Sequence, residues 1–378
     1  MLAISTLEIR GFRNLAAQAI ALHPRINVFF GDNGQGKTNT LEAAYLVTTS
    51  RSFRTAMLGD CVQHDAPAAM VRVHVDDARD PAVPREQRVD IALSDGGDHA
   101  TRGARRAVKL EGKRPQTLAV FALATPIVLF EPASLQLSQG GAAERRKLLD
   151  RVAVHLATRT GGGAQLLGDA ERYRRAHQHR RRALETRADA RTIAPYESIM
   201  AEHGAAIVRA RAHAAHELSA RAVAAFERIA RSPLPLSIAY APRAPEDAAA
   251  FATLLAARRS DDARRGTASV GPHLDDLAIH LGGHPARKVA SQGQHRAIVL
   301  ALKGAELGAV AAARDVPPIL LLDDVSSELD PSRNASLFEF LHAQVGQVLL
   351  TTTRPELIEL GTARADFQVR AGAVVRVR

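Results

Sequence analysis

Gly31-Asp32-Asn33-Gly34-Gln35-Gly36-Lys37-Thr38 is a complete phosphate-binding P-loop, and the segments on either side of it fit such a loop. The apolar residues 26–30 before it predict a strand, and residues 37–49 after it predict a helix. A strand, a glycine loop and a helix together form a nest of backbone N–H groups at the positive end of a helix, which suits a polyphosphate. The sequence therefore predicts an α/β nucleotide-binding fold.

The predicted roles in the loop follow from residue type. Gly31 and Gly36 permit the tight turn and the close approach of backbone to phosphate. Lys37 can reach the β and γ phosphates, and the Thr38 hydroxyl can join the shell of a bound Mg²⁺ ion. The residues predicted to bind the nucleotide are Gly31, Asp32, Asn33, Gly34, Gln35, Gly36, Lys37, Thr38 and Asn39.

Residues 319–324 read as a Walker B strand, four apolar residues followed by Asp323 and Asp324. Four apolar residues suit a strand buried on both faces of a parallel sheet, and ligands bind at the carboxyl end of such strands. We predict that Asp323 holds Mg²⁺ through water and that Asp324 polarises the attacking water as a catalytic base. An apolar run ending in two acids is weak evidence alone, and its pairing with Lys37 in a P-loop supports the assignment.

The signature segment, Ser291-Gln292-Gly293-Gln294, opens a predicted helix shortly before the Walker B strand. It resembles the signature of ABC-type ATPases, whose serine hydroxyl and helix N-terminus bind the γ-phosphate held by the opposite subunit. On this resemblance Ser291 is a predicted catalytic residue, and Gly293 and Gln294 are predicted nucleotide contacts. The alternative is an ordinary helix cap, because serine is a preferred N-cap residue.

Two further segments resemble the same superfamily. Residues 326–330, Ser-Ser-Glu-Leu-Asp, look like its D-loop. The threonines at 351–353 follow an apolar run where such ATPases place a residue that senses the γ-phosphate. Many ABC proteins have histidine there, so the threonines depart from that pattern.

Composition limits the class of protein. A chain of 378 residues with a hydrophobic fraction of 46% can form about two globular domains with a sizeable core. No apolar run approaches the length of a membrane span, and the N-terminus lacks the pattern of a signal peptide, so we expect a cytoplasmic protein with no membrane partner. Cys61 is the single cysteine, which excludes an internal disulfide and argues against a Cys-rich zinc site.

The charge balance favours a polyanionic partner. Fifty Lys and Arg residues against forty Asp and Glu give a net charge of +10. Most of the cations are arginines, whose planar fork donates two hydrogen bonds to one phosphate. DNA or RNA is the natural inference, and a solvated basic face in an arginine-rich proteome is the alternative. The densest basic segment, which could touch DNA, contains Arg172, Arg174, Arg175, Arg180, Arg181 and Arg182.

The chain is organised as two α/β segments around a helical insertion. Residues 142–229 are rich in Ala, Leu, Arg and Glu and predict helices, and the strand-and-helix pattern returns at residue 292. We predict a discontinuous ATPase lobe I, residues 1–131 and 285–378, and a mainly helical lobe II, residues 132–284.

Local signals add three expectations. Gly161-Gly162-Gly163 and Pro195 are expected to divide the helical insertion into three or more helices. Residues 79–87, with two prolines, predict a surface loop. Residues 277–281, a turn at Gly282-Gly283 and then residues 287–289 predict a β-hairpin.

Taken together in chain order, the motifs resemble the RecF family of bacterial recombination and repair ATPases from end to end. Besides the P-loop, the signature segment and the Walker B strand, they are Leu7-Glu8-Ile9-Arg10-Gly11-Phe12-Arg13-Asn14, Ser52-Phe53-Arg54, Glu144-Arg145-Arg146-Lys147-Leu148-Leu149-Asp150, Gly271-Pro272-His273 and Asp275-Asp276-Leu277.

The resemblance implies an SMC-like ABC ATPase head without a long coiled coil, with ATP and Mg²⁺ as cofactors. ATP would be sandwiched between two protomers, so that Ser291, Gly293 and Gln294 of one complete the Lys37 site of the other. Such an ATP-dependent homodimer would bind double-stranded and gapped DNA and act as a weak DNA-stimulated ATPase. It would work with RecR and RecO to help load RecA during repair, replication restart and the SOS response.

The chain departs from the family pattern at three places. Leu274 stands where the family usually has arginine, and His295 stands where it often has glutamine. Residues 132–135 are Pro-Ala-Ser-Leu in place of Pro-Glu-Asp-Leu. No glutamine is assigned to a Q-loop, and the phosphate-binding residues are unaffected.

Three other classes stay open. The nucleotide-binding subunit of a transporter would need a membrane partner and normally has a much shorter insertion than residues 132–290. An SMC-like structural head would need a coiled-coil arm, and no stretch is long enough for one. The third class is a DNA-binding protein with a vestigial nucleotide site that does not hydrolyse ATP. The intact Lys37, Thr38 and paired acids argue against it.

Overall fold

A computed structural model of the chain describes residues 1–94, 103–230, 233–324, 346–358 and 363–378. They form two compact units: unit 1 is Met1–Ser134 with Val310–Arg378, and unit 2 is Leu135–Ala309. Residues 285–309, which the sequence prediction places in lobe I, therefore cluster with the helical unit. Two side chains in this stretch have partners there, because Glu306 accepts a hydrogen bond from Arg151 and His295 is bonded to Ser138. The extent of the two functional lobes stays a prediction.

The described residues of unit 1 form two sheets, together with two helices and the end of a third that begins in unit 2. The strands of the antiparallel sheet are β1 (Leu2–Arg10), β2 (Gln18–Ala21), β4 (Ala68–Asp77), β5 (Asp80–Leu93) and β6 (Ala104–Leu110). The strands of the second sheet are β3 (Ile26–Phe30), β7 (Ile127–Phe130), β11 (Ile319–Leu322), β12 (Val348–Thr352), β13 (Arg364–Arg370) and β14 (Ala373–Arg376). The helices are α1 (Lys37–Thr49) and α2 (Leu118–Ala124).

The second sheet positions the site. Its strand order is β14-β13-β3-β12-β11-β7, and all neighbouring pairs are parallel except β13 with β14. β11 is buried along its whole length, as expected for a strand covered on both faces. Helix α1 contacts β4 and β5 of the antiparallel sheet as well as β12 and β7, so residues of both sheets share a hydrophobic core with this helix.

Unit 2 is mainly helical and has a small antiparallel sheet in the order β10-β9-β8. Its helices are α3 (Gln136–Gln139), α4 (Ala142–Thr158), α5 (Gly163–Glu185), α6 (Ala190–Ala230), α7 (Ala248–Arg265), α8 (Ala286–Val289) and α9 (Gln292–Arg314), the last of which ends in unit 1. Its strands are β8 (Leu236–Ala241), β9 (Asp276–Leu281) and β10 (His284–Pro285). Single 3₁₀ turns in the two units are Leu58–Cys61, Pro132–Leu135, Pro272–Leu274 and Pro355–Leu357.

The prediction of a loop at residues 79–87 is wrong. Strand β5 begins at Asp80 and pairs with β4, with Arg85 opposite Val75. The register shifts between Val75 and Asp77, and residues 81–84 fall in that irregular stretch. A bulge tolerates proline, which lacks the N–H group that a regular ladder needs.

Pro195 does not interrupt the helical insertion, because α6 runs through it. The break lies earlier, where Arg187 has a φ of +52° and the Asp189 carboxylate accepts a hydrogen bond from the Thr192 N–H group at 2.8 Å. Aspartate is a preferred residue at the start of a helix, so Asp189 was the signal for this boundary.

The predicted hairpin has a shorter return strand than expected. The turn at Gly282 and Gly283 has two residues with φ of +58° and +81°, the geometry of a tight hairpin turn. The return strand therefore begins at once with His284 opposite Leu281. Residues 287–289 belong to the single helical turn α8 and not to a strand.

Arg180 is buried in unit 2 rather than exposed in the basic segment. Its guanidinium donates to Glu197 Oε1 at 3.0 Å and to Asp262 Oδ2 at 2.8 Å, which joins α5, α6 and α7. Both carboxylates are also buried. Arg180 therefore holds the helical unit together and is not available to DNA, whereas its neighbour Arg181 is exposed.

We predict that Arg180→Ala lowers the free energy of unfolding by about 3–5 kcal/mol, because it leaves the buried Asp262 carboxylate without its cation and leaves buried Glu197 paired with Arg259 alone. Arg181→Ala is the matched control, since it removes only a surface pair with Glu185 and should cost about 0.5 kcal/mol or less. Urea unfolding followed by circular dichroism measures both. Equal losses for the two variants would contradict the prediction.

Candidate functional site

The P-loop connects β3 to α1, and two of its glycines have conformations that other residues cannot adopt there. Gly31 has a φ of +146°, and a Cβ atom on it would lie 2.4 Å from the Val369 carbonyl oxygen. Gly36 has a φ of +116°, and its Cβ would lie 2.9 Å from Leu15 Cδ2. The packing around the loop therefore requires glycine at both positions.

Neighbouring segments brace the loop from outside. The Gln35 side chain accepts a hydrogen bond from the Ala371 N–H group at 2.7 Å, and its carbonyl accepts one from Gly372 at 3.0 Å. Asn14 donates to the Gly34 carbonyl at 3.1 Å. The turn between β13 and β14 and the N-terminal motif thus fix the shape of the P-loop.

Asp32, Asn33 and Gly34 lie exposed at the loop tip, whereas Lys37 is buried at its base. Lys37 Nζ donates to the carbonyl oxygens of Gly31 at 2.7 Å and Asp32 at 2.8 Å. Burial lowers the pKa of Lys37, and the nearby carboxylates, Asp324 foremost, oppose that shift. The ammonium group therefore lies inside the loop and close to the Walker B acids.

The Walker B strand meets the P-loop through a hydrogen bond between side chains. Thr38 Oγ1 donates to Asp323 Oδ1 at 2.8 Å, although the two residues are 285 positions apart. Both predicted Mg²⁺ residues are thus in direct contact. Hydroxyl and carboxylate oxygens are the donors that Mg²⁺ prefers, so the pair fits this ion.

Thr351, the last residue but one of β12, is a further member of the site. The strand lies between β3 and β11 in the sheet, and Thr351 Oγ1 donates to Asp323 Oδ1 at 2.8 Å. The same oxygen accepts a hydrogen bond from the Asp324 N–H group at 2.9 Å. One hydroxyl therefore contacts both acids, a role that the sequence did not indicate because it depends on the strand register.

The two acids have unusual environments. Burial raises the pKa of Asp323, and the hydrogen bonds from Thr351 and Thr38 oppose this shift. Asp324 has a φ of +48°, in the left-handed region that few residues other than glycine adopt. Backbone conformations of this kind cluster at functional sites, where surrounding contacts maintain them.

Glu42 on α1 connects two sequence motifs that flank the loop. Its buried carboxylate accepts hydrogen bonds from Arg13 Nη2 at 2.7 Å and from Ser52 Oγ at 2.6 Å. Arg54 donates to Asn39 Oδ1 at 2.6 Å. Asn39 also donates to Asn14 Oδ1 at 2.7 Å, so it lies in a network with both motifs. Glu42 is the one acidic residue of α1, and this was the signal for the network.

Cys61 lies against the same carboxylate. Its Sγ is 3.7 Å from Glu42 Oε1 and the residue is 0% exposed. Burial raises the pKa of the Cys61 thiol to about 12. The thiol is therefore protonated at neutral pH and packs as part of the core.

The signature segment lies in unit 2, and Ser291 is exposed at its start. The Ser291 N–H donates to Gln294 Oε1 at 2.9 Å, and the Gln294 N–H donates to Ser291 Oγ at 3.3 Å. This is a capping box, so the helix-cap interpretation describes the local geometry. A hydroxyl that accepts one hydrogen bond can still donate another, so nucleotide contact by Ser291 stays a prediction.

The segment at residues 326–330 that resembles a D-loop lies outside the described residues. Of the remaining threonines, Thr353 is exposed and Thr352 is buried, with its hydroxyl accepting a hydrogen bond from Arg354 N–H at 2.9 Å. In the described parts of the chain, no helix combines the length and the apolar character needed to cross a bilayer.

Comparison with known proteins extends over almost the whole chain. Residues 3–373 match the family described as RecF/RecN/SMC N terminal domain. The chain is 39% identical over 380 residues to the DNA replication and repair protein RecF of Anaeromyxobacter sp. (strain Fw109-5), which covers 98% of both chains. It is 36% identical to the protein of the same name from Geobacter sulfurreducens, covering 99% of this chain and 100% of the relative.

Solved structures agree with the sequence relatives. A structure described as the recombination mediator protein RecF-ATPrS in the RecFOR pathway has a TM-score of 0.85 at 25% identity, covering 100% of this chain and 98% of that one. An Smc head bound to the C-winged helix domain of ScpA has a TM-score of 0.57 at 14% identity, covering 99% of this chain and 97% of that one, and shows the fold alone.

These likenesses confirm the predicted fold class, an α/β P-loop head of the SMC-like ABC type with a helical second part. The longest described helix, α6, has 41 residues and packs against α4, α5, α7 and β8 within unit 2. With 39% identity over 98% of both chains, the chain belongs to the RecF family.

Proposed function

We propose that the chain is an ATP-dependent double-stranded DNA-binding protein of recombinational repair and replication restart. ATP would drive dimerisation, and slow hydrolysis would release the dimer from DNA. The observation that carries the proposal is the hydrogen bond from Thr38 to Asp323, because it joins the P-loop and the Walker B strand into one nucleotide site. The membership of the RecF family supplies the biological setting.

The residues of unit 1 have distinct roles in this proposal. Lys37 binds the β and γ phosphates, and Thr38 and Asp323 hold Mg²⁺. When bound, Mg²⁺ neutralises the charge that develops on the phosphate oxygens. Asp324 orients the attacking water and accepts its proton, so removal of its charge stops hydrolysis and leaves phosphate binding intact.

The second half of the site would come from another copy of the chain. Ser291, Gly293 and Gln294 open α9, a helix of 23 residues whose N-terminal end carries a partial positive charge. Exposed Ser291 retains a hydroxyl hydrogen that can be donated to a γ-phosphate oxygen. A monomer would then bind ATP but lack the groups that complete catalysis.

The partners follow from charge and family likeness. The net charge of +10 supports binding to DNA, including gapped DNA, through phosphate contacts. A solved relative is described as a recombination mediator in the RecFOR pathway, and on that likeness we extend partnership with RecR, RecO and RecA to this chain. A weak DNA-stimulated ATPase located in the cytoplasm fits these partners.

The basic segment of α5 is a weaker DNA surface than its sequence indicates. Arg174 and Arg175 both bond to Glu171, and Arg181 lies 3.4 Å from Glu185. These pairs reduce the positive charge of the helix face. We therefore assign DNA binding to the dimer as a whole and not to this helix.

We expect opposite effects from two variants of the nucleotide site. Lys37→Ala should abolish ATP-dependent dimers because the phosphates lose their cation, whereas Asp324→Asn should accumulate them because ATP is bound but not hydrolysed. Size-exclusion chromatography with light scattering measures both, and exposed Lys113→Ala is the control. Equal dimerisation of wild type and Lys37→Ala would refute the proposed role of ATP.

We expect Thr351→Val to shift the acid limb of the ATPase pH profile to higher pH. The Thr351 hydrogen bond favours ionised Asp323, so its loss raises the pKa of that carboxyl further. Mg²⁺ needs the ionised form, so activity is lost earlier as pH falls, and kcat/KM should decrease about ten-fold or more. Thr351→Ser keeps the hydroxyl and should match wild type, and identical acid limbs for the two variants would contradict this expectation.

DNA affinity should depend on both nucleotide and salt. We expect ATP to tighten binding of double-stranded DNA by about ten-fold relative to ADP or no nucleotide, with a steep decrease as salt increases, because phosphate contacts release counterions. Fluorescence anisotropy across a salt series measures this, and Lys37→Ala with ATP should behave as the nucleotide-free protein. If ATP leaves the affinity unchanged, ATP does not control DNA binding, even if hydrolysis is retained.

A further inference from the structure

We propose that the α3 turn, residues 136–140, positions the signature segment, and that Ser138 and His295 are the decisive positioning pair. This inference rests on the proposed function, because it concerns the half of the ATP site that a second copy would supply. All the contacts that carry it lie within unit 2.

The hydrogen bond between Ser138 and His295 is short, and both residues are buried. Ser138 Oγ and His295 Nδ1 are 2.6 Å apart, and the two residues are 2% and 6% exposed. His295 directly follows Gln294, and its N–H group donates to the Ser291 carbonyl at 2.9 Å. Burial lowers the pKa of His295, which favours a neutral ring that can both donate and accept. A shift of this side chain would therefore move the start of α9.

A second contact comes from the next residue of the same turn. Gln139 Nε2 donates to Gln292 Oε1 at 3.1 Å. Gln292 and His295 are three positions apart, so they share one face of α9, and that face is bonded to the α3 turn. Ser291 itself stays exposed. The α3 turn thus fixes the helix start and leaves the predicted nucleotide contact accessible.

Arg145 in turn fixes the α3 turn. The buried guanidinium donates to the carbonyls of Leu137 at 3.2 Å and Gly140 at 2.9 Å. Its other nitrogens bond to Asp276 Oδ1 at 2.7 Å and Oδ2 at 3.0 Å. The Arg145 guanidinium therefore links the α3 turn to β9 through hydrogen bonds. Two sequence motifs with no part in phosphate chemistry, residues 144–150 and 275–277, thereby gain a role.

ATP binding by a protomer and its contribution to the ATP site of a partner depend on different units, so a single variant can distinguish them. The P-loop and the Walker B acids lie in unit 1, whereas the α3 turn and the signature segment lie in unit 2. Loss of the Ser138 hydrogen bond should therefore weaken the contribution that the signature segment of one protomer makes to the ATP site of its partner. It should leave the binding of ATP by that protomer's own P-loop intact.

The test compares full-length wild type with Ser138→Ala and the hydroxyl-retaining Ser138→Thr, and exposed Ser237→Ala is the matched control. The affinity of a fluorescent ATP analogue is measured at a protein concentration below dimerisation, and the ATP-dependent dimer Kd by analytical ultracentrifugation. We expect Ser138→Ala to bind the analogue like wild type but to weaken dimerisation about ten-fold, the cost of one buried hydrogen bond. Ser138→Thr and Ser237→Ala should dimerise like wild type.

A second pair of variants tests the partner residue. His295→Gln retains a group that can bond to Ser138 and should dimerise like wild type, whereas His295→Ala should behave as Ser138→Ala. The double variant Ser138→Ala with His295→Ala should lose no more than either single variant, because both remove the same interaction.

Two results would overturn the inference: normal dimerisation of both alanine variants, or a loss of analogue binding in parallel with dimerisation, which would indicate a general structural role. Failure of wild type to dimerise with ATP is a separate result. It would refute the proposed function, and this inference with it.

Discussion

Asp323 Oδ1 accepts hydrogen bonds from Thr38 and from Thr351, and the geometry of the whole nucleotide site depends on this shared acceptor. The three residues end or follow three adjacent parallel strands, β3, β12 and β11, whose carboxyl ends lie at one edge of the sheet. Each hydroxyl stabilises a carboxylate whose burial would otherwise favour the neutral acid. The sheet register therefore determines both where a metal ion can bind and which ionisation state receives it.

The P-loop and its contact with Asp323 could be predicted because their signals are local. The sequence of a glycine loop between an apolar strand and a helix is enough to predict the conformation of the loop. The Walker B acids come directly after the apolar residues of a buried strand, so their place at its carboxyl end could also be predicted. Thr351 could not be identified as a hydrogen-bond partner of the acids, because its position opposite Asp323 follows from the alignment of Leu322 with Leu350 in the sheet. Residue type alone does not encode that alignment.

Tertiary contacts account for the other differences between sequence and structure. Arg180 lies on the same helix as exposed arginines such as Arg181. It is buried because it pairs with the buried acids Glu197 and Asp262. The prolines were also misleading as signals of breaks in strands and helices. Pro81 and Pro84 lie where the pairing of β5 with β4 is irregular, and α6 continues through Pro195. The functional boundary between lobes and the role of Ser291 depend on a second copy of the chain, so they stay predictions.

The buried cysteine has a practical consequence for studying assembly. Thiolate is the form that reacts with alkylating dyes, and a thiol with a pKa of about 12 that is 0% exposed offers almost none of it at neutral pH. Since Cys61 is the single cysteine of the chain, the natural protein behaves towards such dyes as if it were cysteine-free. One cysteine introduced at a surface position would thus carry a dye at a defined place, so that the approach of two copies can be followed by energy transfer without rebuilding the core around Glu42.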